Sequence, residues 1–451
     1  MLGYYLELAI RSLKRNVVLT ALMVTVVGFG IGASMTVFTT LRAMGEDPIP
    51  DKSTQLFVPQ IDVWGPSSRP AGSDGGPGRP GGGDLLDQLT YRDALAFMQA
   101  RRAPRQSAMY GISVDVTQPG GVPFPVSGRA AYADFFPMFE VPFASGGAWS
   151  ADDDRRHANV VVMSTRLAER LFPHAPAVGR TVSLDGHEYR IVGVIAAWNP
   201  VPRFYDLSVQ TNGGFTDSDD LFLPFATAID RQLPLNGRLY CNARPGPGWE
   251  GRLNSECVWV QFWAELPTAA AVRDYRAFLY GYAAEQRRLG RFHWAPRLEL
   301  HDVNDWMAIE IKVPNTLRVS TAVAFGFLAV CLINAVGLML ARFSGRAGEL
   351  GVRRALGAAR KDIFLQCLAE TAIVGVPGAL LGLALTAAGL AGQRALHNIA
   401  GSTDAVDRLT SLDPGMVLIT LALTVAATMC AGLYPVWRAS RVQPAWQLKT
   451  Q

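Results

Sequence analysis

Four uninterrupted apolar stretches govern what this chain can fold into. Residues 17–41, 319–341 and 416–437 carry no charged side chain, and 363–392 carries one, Glu370. Each is long enough to cross a bilayer as a helix, which takes about 20 residues. In lipid, every backbone N–H and C=O must be satisfied within the spanning structure, so only helices and closed barrels cross. These runs lack the period-2 alternation of barrel strands, so four transmembrane helices follow. The first run is too long for the apolar core of a signal peptide, and no clear small-residue cleavage site stands after it. Ahead of it, residues 1–16 carry apolar side chains on one helical face and bases (Arg11, Lys14, Arg15) towards the end. That is the pattern of an amphipathic helix lying on the membrane.

Composition excludes other classes. Hydrophobic residues make up 49% of the 451 and charged residues only 18%, with a mean hydropathy of +0.15, which argues against disorder and against an ordinary soluble enzyme. The net charge of +4 is too small for a nucleic-acid protein.

Charge also sets orientation, because short basic loops stay in the cytoplasm. Residues 1–16 carry three bases against one acid, 342–362 six against two, and the tail 438–451 three against none. The loop 393–413 carries two bases against three acids. Both termini and the 342–362 segment are therefore expected in the cytoplasm. By the parity of the spans, the long insertion 42–318 and the loop 393–415 are expected outside.

The insertion opens with a strand over 55–63. A Gly/Pro/Ser-rich stretch follows at 65–83, which reads as a loop. Its two ends mirror each other. A helix over 91–102 precedes a strand over 109–117. A strand over 257–265 is followed by a helix over 268–289 and a strand over 297–303. Two separated β-α-β units predict ferredoxin-like, porter-like halves of an α+β domain. Between them, 118–256 reads as a β-rich insertion with short strands at 159–163, 181–184 and 189–194 and turns such as Asp185-Gly186. The fold class is thus an α-helical membrane protein with four spans and a large α+β extracytoplasmic domain.

Five cysteines divide by location. Cys331, Cys367 and Cys430 lie in spans and read as buried thiols, whereas Cys241 and Cys257 lie in the exported domain. In an oxidising compartment that pair is a disulfide candidate, with two free thiols as the alternative. Catalytic chemistry is missing from the sequence. The six histidines are scattered, and no zinc motif, no G-x-S-x-G and no phosphate-binding loop is present. Asp152-Asp153-Asp154 lacks the alternating ligand spacing of a calcium loop and reads as a solvated turn. No metal and no cofactor is expected on this chain. Glu370, near one end of its span, is an intramembrane ion-pair candidate with Arg353 or Arg354 as partner.

The segment 345–360 is expected to continue helically from the second span and offers small residues with bases. Its core is Glu349, Leu350, Gly351, Arg353, Arg354, Leu356, Gly357 and Ala358. Small residues admit a close-packed partner, and arginines make forked bonds to carboxylates; anionic lipid headgroups would suit the bases equally. The run from Glu349 to Ala358 resembles the signature of MacB/FtsX/LolC-type ABC transporter permeases. Leu332-Ile333-Asn334 and Leu338 to Arg342 fit the same pattern, as does Ala431 to Arg441 with Pro444. In the insertion, Phe135-Phe136, Val141-Pro142-Phe143, Val161 to Ser164, Leu171-Phe172-Pro173, Val178-Gly179-Arg180 and Val192-Gly193-Val194 resemble the MacB periplasmic core.

The resemblance implies a permease of a bacterial inner membrane that works as a dimer, with a second copy or a paralogous permease. An ABC ATPase subunit would use ATP and Mg, and 345–360 would transmit its closure to the exported domain. MacB carries a fused ATPase; this chain has no phosphate loop, so the ATPase is expected on a separate chain. A periplasmic adaptor and an outer-membrane channel are further partners such a system takes. Export is the first reading, and FtsX-like control of a periplasmic partner without transport is the alternative.

Overall fold

The computed structural model describes residues 17–66, 85–117, 121–207, 218–311, 315–398 and 414–440. The expected interfacial helix 1–16, most of the Gly-rich stretch 65–83, the centre of the loop 393–415 and most of the tail 438–451 lie outside the described residues. The chain divides into two units, residues 47–312 and the two flanking segments taken together.

Helix α1 (Val17–Met44) leads to the 47–312 unit. There the order is β1 (Leu56–Ile61), β2 (Leu89–Thr90), α2 (Tyr91–Ala100), β3 (Arg105–Thr117), β4 (Phe124–Ala131), α3 (Phe135–Met138), β5 (Phe143–Gly146), α4 (Ala151–Arg155), β6 (Val160–Ser164) and α5 (Thr165–Leu171). Then come β7 (Thr181–Leu184), β8 (His187–Ile195), β9 (Leu221–Pro224), α6 (Phe225–Asp230), β10 (Tyr240–Cys241), α7 (Gly248–Leu253), β11 (Cys257–Glu265), α8 (Ala269–Arg288), β12 (Leu298–Asp302) and α9 (Val303–Glu310). The remaining helices are α10 (Asn315–Ser344), α11 (Ala347–Ala355), α12 (Arg360–Asn398) and α13 (Pro414–Ser440).

Four strands of the insertion lie in the order β12-β1-β11-β3, every neighbouring pair antiparallel. With α2 leading into β3 and α8 linking β11 to β12, this is the ferredoxin-like split β-α-β arrangement. The inserted stretch 118–256 adds its strands to the same sheet. β3 is 13 residues long and pairs with β11 near its start and with β4 over most of its length. From β4 the order continues β9-β6-β8-β5, with parallel pairs at β4–β9 and β6–β8.

Side-chain parity explains why both faces are covered. Along β6, Val161 and Met163 enter one core, while Val160 and Val162 enter the other. β9 splits the same way, Leu221 and Leu223 against Phe222. The first face is covered by residues of α2, α5, α6 and α8, and the second by Phe135 and Phe136 of α3 and by Val303, Trp306 and Met307 of α9. A strand buried on both faces reads as a continuous apolar run, as β11 does; all nine of its residues are buried. Helix starts follow from local capping. The side chains of Thr90, Ser164, Thr268 and Asp302 accept the backbone N–H three residues on.

The four long apolar helices pack through small residues, as helices in lipid do. A Cβ on Gly32 would lie 2.6 Å from Leu385, and one on Gly28 2.8 Å from Leu381, so α1 and α12 approach closely. The buried Ser34 hydroxyl donates to the Ala324 carbonyl at 2.9 Å, which ties α1 to α10.

Candidate functional site

The basic segment between the second and third apolar helices folds into a short helix with two clear ends. α10 stops at Ser344, and Gly345 and Arg346 form a turn before α11 begins. The expected continuous helix is therefore broken. The break lets Arg346 face two carboxylates at once. Its Nη1 donates to Glu370 Oε1 and Oε2 at 3.1 and 2.9 Å, and its Nε and Nη2 each donate to Glu349 at 3.3 Å.

The Glu370 carboxylate is buried, with Arg342 as a second cation at 3.7 Å. The sequence pointed to Arg353 or Arg354 as its partner; the structure gives it Arg346 and Arg342. Arg353 instead donates to Gln366 Oε1 at 2.9 Å and to Glu349 Oε1 at 3.2 Å. One helical turn separates Glu349 from Arg353 and places both on one side of α11. Arg342, Arg346 and Gln366 were missed because their pairing joins positions up to 28 residues apart across a turn. For Arg354 only the backbone, within α11, is described.

The far end of α11 is a glycine cap. Gly357 has a φ of +104°, and the Ala358 N–H donates to the Arg353 carbonyl at 3.1 Å. This six-to-one bond around a left-handed glycine is the Schellman ending. The glycine of the signature is thus needed by the backbone. Leu350 and Gly351 are buried, Leu350 in a cluster with Phe343, Ile363 and Cys367, and Ala358 packs at its edge. Val352 and Leu356 point outward, 55% and 83% exposed. Arg360 and Lys361 follow at the start of α12, beside a shallow groove they share with Phe364 and Leu365. The result is a clamped helix that presents two apolar side chains within a basic surround.

In the insertion, Cys241 and Cys257 are bonded to each other and stand opposite in the β10–β11 ladder. The expected turn at Asp152-Asp153-Asp154 is the helix α4, started by a Ser150–Asp153 capping box. Asp154 is buried there, because its carboxylate accepts the Trp149 Nε1–H and the Ala133 N–H, each at 2.8 Å. No group of three or more His, Cys, Asp or Glu suited to a metal occurs among the described residues.

Comparison with known proteins assigns both units. Residues 20–267 match the MacB-like periplasmic core domain, and residues 321–444 the FtsX-like permease C-terminal domain. The chain belongs to the MacB/FtsX-type ABC permease family. It is 26% identical to "Macrolide export ATP-binding/permease protein MacB" of Rhodospirillum rubrum, over 100% of this chain and 60% of that protein. It is 26% identical to "Pyoverdine export ATP-binding/permease protein PvdT" of Pseudomonas aeruginosa, over 70% of this chain and 41% of that one. The chain thus spans between 41% and 60% of the length of these relatives. The periplasmic region of MacB from Actinobacillus actinomycetemcomitans aligns in structure with 10% identity and a TM-score of 0.35, over 57% of this chain and 92% of that one. Four helices long and apolar enough to span, together with a periplasmic-type domain, make this MacB/FtsX-type permease a membrane protein.

Proposed function

We propose that this chain is the permease subunit of a MacB-like ABC transporter that exports a substrate from the periplasmic side. A separate ABC ATPase supplies the energy with ATP and Mg. The observation that carries the coupling is the clamped helix α11. Glu349 and Glu370 share Arg346, so a push on α11 is felt directly by α12. The exposed Val352 and Leu356 give an ATPase an apolar grip, and the neighbouring bases give it charge. Two relatives named for export, of macrolides and of pyoverdine, support transport over signalling. In this reading the protein lies in the inner membrane with both termini in the cytoplasm. It works as a dimer, and a periplasmic adaptor and outer-membrane channel complete the path.

The test is co-purification from native membranes with identification by mass spectrometry. The wild-type chain should bring an ABC ATPase. Leu356→Glu, a change at a side chain 83% exposed, should lose it at least tenfold at equal membrane levels. Recovery of no ATPase with the wild type, under conditions that keep a known ABC complex whole, would overturn the reading. Full retention by Leu356→Glu would move the contact away from α11.

A further inference from the structure

The 47–312 unit contains a half-enclosed cleft of about 670 Å³, bounded by α2, the Tyr132–Asp134 loop, α4 and α6. That volume falls in the range of small-molecule sites. Neither its contents nor its chemistry enters the coupling described above.

One side of the cleft is aromatic. The Tyr132 ring stacks on Phe225 with centroids 5.4 Å apart and planes 21° apart. Phe225 in turn lies nearly parallel to Tyr91, at 6.2 Å and 7°. The polar groups that accompany these rings are acceptors. Asp134 and Asp154 both line the cleft, and neither has a cation within 4 Å among the described residues. Their hydrogen bonds come from neutral donors: Gln106 N–H to Asp134, and Ala133 N–H and Trp149 Nε1–H to Asp154. Burial raises the Asp154 carboxyl to about 6, and the charge of Asp134 adds to the rise. Burial raises Asp134 as well, opposed by the Gln106 N–H and by the more distant charges of Arg105 and Arg101. Two carboxylates held this way gain from a positive charge between them.

The bases at the cleft lie on its rim. Arg155 is engaged by Asp152 at 3.0 Å, His157 by Asp230, and Arg101 is exposed. The interior is therefore aromatic, with two carboxylates that no described cation pairs directly. Aromatic faces and carboxylates both attract an alkylammonium group.

We propose that this cleft binds an organic ammonium ion carrying a flat or apolar body, with its N–H donors on Asp134 and Asp154 and its body against Tyr132, Phe225 and Tyr91. The assignment does not depend on an ATPase partner, so its failure and that of the coupling reading are distinguishable.

The test uses the full chain in lipid nanodiscs and titration calorimetry, with empty nanodiscs subtracted. The probes are 1-naphthylmethylammonium, its neutral counterpart 1-naphthylmethanol and the anion 1-naphthoate. The ammonium should bind about tenfold or more tighter than the alcohol, and the anion not at all. Asp134→Asn should remove that preference. Ala151→Arg, which places a fixed cation at an exposed position of the cleft wall, should abolish ammonium binding while leaving the fold intact. No ammonium binding above the empty nanodisc up to about 1 mM, equal affinity for the alcohol, or unchanged affinity in both variants would each overturn the proposal.

Discussion

Arg129 on β4 is fully buried, and its guanidinium donates to Asp206 at 2.6 Å and to Asp219 at 2.7 Å, with the Tyr205 ring 4.9 Å away. Arg203 adds a bond to Asp219 at 3.2 Å. Such a cluster adds little net stability over an apolar core, but breaking it leaves buried charge unpaired. Arg129→Met should therefore destabilise the insertion by about 3–5 kcal/mol. Eight of the ten tryptophans lie in residues 47–312, so intrinsic fluorescence during denaturant unfolding of the full chain reads that unit. A loss under about 1 kcal/mol would mean that Asp206 and Asp219 tolerate the missing cation. Strand parity carried a hint of this site. Arg129 alternates with Gly128 and Ala130, and it falls on the sheet face that Ala131 also enters. Its partners 77 and 90 residues on were not readable, because side-chain pairing at that range has no local pattern.

At the scale of the element, α11 shows how a signature divides into backbone and surface duties. Gly357 serves the backbone, since a φ of +104° is open to glycine and costs a β-branched residue most. Asparagine enters the left-handed region more readily than other side chains. Gly357→Val should thus loosen the end of α11 and cut ATPase recovery about fivefold, roughly 1 kcal/mol, while Gly357→Asn should keep most of it. Equal recovery with the valine would show that the cap does not matter for partner binding. Nothing within 4 Å would crowd an added Cβ there, so a defect in the valine variant reports conformation and not packing. The same element shows where sequence reading stopped. Small and basic residues pointed to a helical segment, but not to the break at Gly345–Arg346, because the interaction that rewards the break lies on α12.

For the whole molecule, the proposed topology places the insertion and α11 on opposite sides of the membrane. A single added cysteine tests this, once the free Cys331, Cys367 and Cys430 are replaced and the Cys241–Cys257 bond is kept. In cells with a permeabilised outer envelope, an impermeant maleimide should label Ala151→Cys, and should label Leu356→Cys only after lysis. Both positions are exposed, so failure to label reports sidedness and not burial. Labelling of Leu356→Cys in unlysed cells would reverse the orientation, and with it the access of a cytoplasmic ATPase.

The four apolar spans and the ferredoxin-like halves were legible in the sequence alone. Each rests on a local property: run length against bilayer thickness, and the order of periodic segments. The strands at 181–184 and 257–265 match to the residue for the same reason, bounded as they are by turn residues and apolar runs. Tertiary structure alone decided which groups meet. It joined the inserted strands to one sheet through the long β3, gave Glu370 to Arg346 and Arg342, buried Asp154 under Trp149, and gathered Tyr91, Tyr132 and Phe225 about one cleft. These contacts join residues far apart in the chain. Their energy depends on geometry that no stretch of sequence specifies until the sheet and helices have closed around it.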